Sequence, residues 1–163
     1  QCQKMLAMDE VLQRKLQYVE QQLEQMALGQ ASIQTLPERK YIPLGEEATL
    51  YQNEIFYFYP TIAFVQDAPS GQPRISFGAY LEPSQSVPVR YLEQVETLPA
   101  MQMLCAHFQG TYPDAIDFGC QLRLAHPELP LSDDALHFNI VDQFIETAQE
   151  NYITEIQIPI LDA

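Results

Sequence analysis

The C-terminal segment YITEIQIPI (152–160) carries one charge, Glu155, inside an otherwise apolar, strand-like run. A carboxylate in that position is either solvated on an outer face or held inside for chemistry. Held inside, it balances a bound cation or, with its pKa raised by burial, takes a proton as a general base. Strict alternation puts Glu155 with Ile153 and Gln157, and Tyr152 with Thr154, Ile156 and Ile158. A regular strand therefore sends Glu155 and Tyr152 to opposite faces unless a bulge intervenes. Of the two, Glu155 is the one expected to meet a ligand.

Aromatic rings form the second group of candidates. In EIFYFYPTIAFV (54–65), alternation puts Phe56, Phe58, Ile62 and Phe64 on one side and Ile55, Tyr57, Tyr59 and Val65 on the other. A strand apolar on both faces is covered by helices on its second face or lines an aromatic pocket. Pro60 argues for an edge or a bulge. The chain has nine tyrosines and no tryptophan. Tyrosine offers a flat ring with a polar tip, suited to walls around flat or cationic organic molecules, and Tyr57 and Tyr59 are candidates for such walls.

Catalytic patterns are poor. The sequence has no G-x-S-x-G, no P-loop and no H-E-x-x-H. Cys2, Cys105 and Cys120 lack metal-ligand spacing, and His107, His126 and His137 supply no paired partner. No metal and no cofactor is expected, and binding is favoured over chemistry. Eight Lys and Arg face 22 Asp and Glu, for a net charge of −14. Phosphate contacts need clustered cations, so this segment by itself is a poor binder of nucleic acid. No apolar run approaches the ~20 residues of a membrane span. The scattered cysteines read as apolar packing residues in a reducing cytosol.

The elements that must position these residues fall into two parts. Residues 1–28 contain no Pro or Gly, and Leu12, Val19 and Met26 recur every seven residues with Met5 one heptad earlier. Leu16 and Leu23 fall between them, giving a narrow seam that predicts a dimerising coiled-coil helix over 1–29, ended by Gly29. The pattern is already under way at Gln1 without a capping residue, so a preceding segment is expected. Residues 30–163 form the second part. Thr-Leu-Pro occurs at 35–37 and again at 97–99, each followed by a run ending in Gly45 or Gly110. Strands over 54–65, 74–82, 135–146 and 152–160, with helices near 46–52 and over 112–126, make each half a strand–helix–strand–strand unit. The predicted class is α+β, two such units about a pseudo-twofold axis with a concave surface at their junction.

The strings YITEIQIPI and HFQGTYPDAI (107–116), with the duplicated layout, make residues 32–160 resemble a GyrI-like effector-binding domain. The leading helix is similar to the dimerisation helix that follows the DNA-reading domain of MerR-type transcription regulators. The resemblance implies a groove that holds a small molecule, in the drug-sensing members a lipophilic cation gripped by rings and a buried carboxylate. It implies site roles for Glu155 and Tyr152, with Phe108 and Tyr112 supplying further rings. Where the drug sensors place a deep acid in the preceding strand, this chain reads LHFNIVD. His137, Phe138 and Asn139 stand where that acid would be sought, and Asp142 is the nearest carboxylate. That departure leaves a neutral or zwitterionic ligand open beside a cationic one.

The implied protein is a cytoplasmic ligand sensor, homodimeric through its helix, touching DNA only through a domain outside this chain. Some stand-alone relatives are hydrolases in which a pocket Glu activates water, which is the alternative with Glu155 as general base. The heptad arm weighs against it, and no enzyme activity is expected.

Overall fold

The computed structural model describes residues 2–50, 55, 58–83 and 86–162, with 2–9, 25, 48 and 49 described by their backbone alone. Phe56 and Tyr57 lie outside the described residues. The chain opens with α1 (Cys2–Gln25) and continues as β1 (Ser32–Leu36), β2 (Arg39–Gly45), α2 (Glu47–Leu50), β3 (Thr61–Gln66) and β4 (Arg74–Leu81). It continues with β5 (Glu96–Leu98), β6 (Met101–Gln109), α3 (Tyr112–Ala125), β7 (Ala135–Val141) and β8 (Ile153–Pro159).

All eight strands join one sheet in the order β1-β6-β8-β7-β3-β4-β2-β5, and every pairing is antiparallel. The order is palindromic under exchange of β1–β4 with β5–β8, so the sheet carries the duplication that the repeated Thr-Leu-Pro announced. The symmetry axis runs between β3 and β7, paired through Thr61↔Asn139 and Ala63↔His137. Each Thr-Leu-Pro ends a short strand, because a proline cannot donate to the ladder. Those two strands cross over: β1 pairs with β6 of the second unit, and β5 with β2 of the first.

The two faces of the sheet have different covers. On the helix face, Leu104, Ala106, Ile156 and Ile158 pack beneath Ala115 and Leu122 of α3. In the first unit Ile42, Leu44, Ala79 and Leu81 pack with Leu50 of α2, Ile55 and Tyr59. On the opposite face, Ile62, Met103, Cys105, Leu136 and Phe138 form a second apolar layer. There Tyr18 and Val19 of α1 pack on Ile140 and Ile153.

Three sequence expectations change. The strand expected over 54–65 begins only at Thr61. Pro60 supplies just its carbonyl, to Tyr80 N at 2.8 Å, so pairing starts after it, and Ile55 and Tyr59 join the core instead of alternating along a strand. The strand expected over 135–146 stops at Val141. There Asp142 turns the chain: its carboxylate accepts from Phe144 N at 3.0 Å, and its carbonyl from Ile145 N and Glu146 N.

The third change concerns α1, which folds against its own domain. Lys15, Tyr18 and Val19 are buried, while Leu12, Leu16 and Leu23 stay 42%, 46% and 38% exposed. The helix therefore has two apolar sides, one spent on this chain and one facing outward. It crosses the end of the central strands, with Val11 against the first-unit core and Tyr18 on the opposite face.

Candidate functional site

On the helix face, a cavity of about 360 Å³ opens between α2 and α3. This lies within the ~300–1,000 Å³ typical of small-molecule sites. Its floor is Thr61, Ala63 and Val65 of β3, Ile75 and Phe77 of β4, and His137 and Asn139 of β7. Glu47 and Leu50 of α2 form one wall, and Tyr112, Pro113 and Ile116 at the start of α3 form the other. The turn after β7 closes one end with Asp142, Gln143 and Phe144. The lining is mainly apolar, with acids and neutral hydrogen-bonding groups at fixed points. Such a surface orients an amphiphilic organic molecule.

Local sequence places each group. β3 and β7 put Thr61 beside Asn139, and β7 and β8 put Asn139 beside Thr154, giving a polar row across the floor. The Thr61 and Thr154 hydroxyls are buried and make no hydrogen bond. A buried unpaired hydroxyl costs about 1–3 kcal/mol, so these two are unspent donors and acceptors next to Asn139. Thr111 caps α3 by accepting from Asp114 N at 3.3 Å, and Pro113 follows in the first turn, where its missing N–H costs nothing. Gly110, at φ 150°, lies where a Cβ would come within 2.8 Å of the Phe108 ring. It donates to Tyr152 O at 2.8 Å. This pins the start of α3 to the start of β8, and Tyr112 and Tyr152 stack with centroids 5.0 Å apart.

Two titratable groups on this cavity are perturbed. Burial, aided by the nearby Arg123 charge, pushes His137 down to about 4, so its imidazole is neutral near pH 7. It is therefore a hydrogen-bonding group and not a cation. Burial raises Asp142, an effect partly countered by the Lys15 ammonium. Lys15 is 4% exposed. Its Nζ stands 3.7 Å from Asp142 Oδ2, too long for a hydrogen bond, and 5.1 Å from the Phe144 ring centroid. Burial also lowers the Lys15 pKa, against the opposing pull of Asp142.

Glu155 faces the other side of the sheet. It pairs across the ladder with Phe138 and His107 and does not line the cavity. There it belongs to a buried polar network in which Arg39 Nε and His107 Nε2 make no hydrogen bond. Arg39 Nη1 donates to Gln157 Oε1 at 2.8 Å, and Gln157 Nε2 donates to Glu155 Oε2 at 3.1 Å. The His107 Nε2 atom is 3.9 Å from Glu155 Oε1, and the Arg39 guanidinium lies 5.3 Å from the Phe138 ring centroid. Tyr18 lies near this group, its phenol held protonated by burial and then by the Glu155 charge. Burial, followed by Glu155, likewise pushes Cys105 up to about 12, leaving an inert thiol.

The predicted site residues thus divide. Tyr112, His137 and Asn139 line the cavity, and Tyr152 backs it through Tyr112. Phe108 packs on Phe118 in the second-unit core, at 5.0 Å, and Tyr59 lies in the first-unit core. β8 runs in unbroken register along β6, so Glu155 and Tyr152 do take opposite sides, and the void lies on the side of Tyr152. Thr61, Glu47 and Phe144 escaped sequence reasoning. The only sequence signal for that end of the cavity was Asp142 as the acid nearest LHFNIVD. Among the described residues no group of His, Cys, Asp or Glu forms a metal site, and no helix is long and apolar enough to cross a membrane.

No protein-family model and no curated protein matches this sequence; the likeness is in the fold. The curled eight-stranded antiparallel sheet, built of two strand–strand–helix–strand–strand units, matches a GyrI-like fold seen in solved structures. Among solved structures, the EcmrR C-terminal domain superposes with TM-score 0.57 at 11% identity, covering 82% of this chain and 98% of that one. EcmrR in its DNA complex covers 99% of this chain and 69% of its own, at TM-score 0.53 and 13% identity. A hydrolase from Listeria innocua gives TM-score 0.62 at 10% identity, over 88% of this chain and 98% of that one. SAV2435 bound to tetraphenylphosphonium gives 0.52 at 14% identity, over 81% and 94% respectively.

Proposed function

We propose that this chain is the ligand-sensing domain of a cytoplasmic, dimeric transcription regulator, with the helix-face cavity as its effector site. The observation that carries this reading is the cavity itself: a built, mostly apolar void with the unspent Thr61 hydroxyl, a neutral imidazole and a buried acid on its lining. One protein of this fold binds tetraphenylphosphonium and another forms a DNA complex, which fits a small organic effector read out as a change at DNA. The effector is a flat or lipophilic molecule, cationic where it meets Asp142 or Glu47. The dimer forms along the outward side of α1, through Leu12, Leu16 and Leu23. DNA is contacted by a domain outside this chain, since the acidic balance of the segment opposes phosphate.

The hydrolase neighbour keeps a catalytic reading in view, but Glu155 is a poor general base here. Its carboxylate accepts from Gln157 and is 9% exposed, and a base needs an unobstructed path to the proton it takes. The test is calorimetric titration with tetraphenylphosphonium, repeated on Ala63→Phe, which fills the cavity floor. Saturable binding tighter than ~1 mM that the substitution weakens about a hundredfold is the expected result. Absence of binding, or binding indifferent to Ala63→Phe, would falsify the cavity as the effector site.

A further inference from the structure

Asp142 and Phe144 stand between two hollows. On one side is the effector cavity; on the other is a cleft of about 350 Å³ lined by Leu12, Lys15, Leu16, Phe144 and Ile145. Carboxylate and ring together make a corner suited to one –NH₃⁺ group: charge against charge on one side, cation against π-face on the other. In this structure the corner holds the protein's own ammonium, reaching it from α1. The fit is poor. Asp142 spends Oδ1 on Phe144 N at 3.0 Å and keeps Oδ2 for Lys15, yet the 3.7 Å gap leaves Lys15 Nζ buried without a hydrogen bond. A buried ammonium that makes no hydrogen bond is costly, so the occupant is easily displaced.

We propose that the Asp142–Phe144 corner is an ammonium subsite of the effector cavity, filled by Lys15 at rest and claimed by the primary ammonium of a bound aryl- or alkylamine. The inference rests on the cavity as effector site and adds the ligand's class and its coupling to α1. A ligand amine reaches Asp142 from the cavity side, where it closes the hydrogen bond that Lys15 misses. Lys15 then gives up its anchor and withdraws toward the outer cleft, where water takes over its solvation. Lys15 lies about one helical turn from Leu12 and next to Leu16 on α1, so the outward seam loses one of the contacts holding it in place. Binding at the cavity thus becomes a change in how firmly α1 is held. The coupling is reciprocal, since whatever holds Lys15 in place weakens the amine. A quaternary or phosphonium cation has no N–H to offer Asp142. It occupies the cavity without displacing Lys15.

The test uses a matched pair of probes, benzylammonium and neutral benzyl alcohol, on the whole chain. Lys15→Met, which keeps the stem and removes the competitor, is expected to tighten benzylammonium about tenfold and leave benzyl alcohol unchanged. Asp142→Asn is expected to weaken benzylammonium about tenfold and spare benzyl alcohol. Amide hydrogen exchange of the unaltered chain gives an independent readout: benzylammonium should speed exchange across α1 and benzyl alcohol should not. Should Lys15→Met fail to fold by circular dichroism, that exchange comparison decides alone. Equal responses of α1 to both probes, or a Lys15→Met protein with unchanged benzylammonium affinity, overturn the subsite while leaving the cavity standing. Binding of both probes that ignores Ala63→Phe, or no binding at all, removes the cavity reading and the subsite with it.

Discussion

The two faces of one sheet differ in what lies beside their buried polar groups, a charge network on one and a void on the other. On the Glu155 face the charges are linked within the chain, Arg39 to Gln157 to Glu155, with Tyr18 nearby, though Arg39 Nε and His107 Nε2 make no hydrogen bond. On the helix face Thr61 presents a hydroxyl with no partner to the void, and the unpaired Thr154 hydroxyl lies one strand further, across from Asn139. A buried carboxylate with a countercharge is a packing solution, and its conspicuousness in sequence says little about a ligand. Unpaired polar atoms beside empty volume are the better sign, because the chain has left them for something it does not contain.

Arg39→Met would break the filled face most severely. With Glu155 left as an unbalanced buried charge, the loss should be about 3–5 kcal/mol in urea unfolding. Tetraphenylphosphonium affinity in the surviving native fraction should stay within about twofold. A large affinity loss would instead show the two faces to be one site.

The helix face answers to pH. The folded pKa of His137, about 4, is below its ordinary 6.5. As pH falls, the unfolded chain takes the proton first, so the stability held above pH 6.5 is lost progressively toward pH 4. That loss amounts to about 3 kcal/mol. Subtracting the same profile for His137→Gln isolates it, and identical profiles would contradict a neutral buried imidazole.

Glu155→Gln is a finer comparison. It should lower stability by about 1–3 kcal/mol, by leaving Arg39 under-compensated, with tetraphenylphosphonium affinity unchanged within about twofold. A selective loss of affinity would return the ligand to the Glu155 face. The smallest effect belongs to Thr61→Val. Replacing an unsatisfied hydroxyl by a methyl should raise stability by about 0.5–1 kcal/mol, read as a higher Tm, while weakening a hydrogen-bonding ligand.

The sequence made the duplication legible because proline leaves a positional mark: Pro37 and Pro99 end equivalent strands wherever the chain goes next. α3 was legible too, expected over 112–126 and found at Tyr112–Ala125. The limits of β3 and β7 were not, since Pro60 and the Asp142 turn act through hydrogen bonds with residues distant along the chain or across the turn. The site was half legible. Alternation correctly separated Tyr152 from Glu155, but which face holds a void depends on how helices from two units meet over the sheet. Arg39 was invisible as a partner because Gln157 lies 118 residues away. Lys15 was hidden by a heptad pattern whose strongest residues face outward.

The crossing of β1 onto β6 bears on how the chain is made. Synthesis must pass Cys105 before Ser32–Leu36 has all its partners, because Ser32 pairs with Cys105 and Leu36 with Met101. Until then the first unit waits with an unpaired edge, and neither half closes a sheet alone. Such long-range pairing slows folding relative to local hairpins. It also makes the nascent first half the stage most exposed to misassociation, with a second ribosome's product able to lend the missing strand.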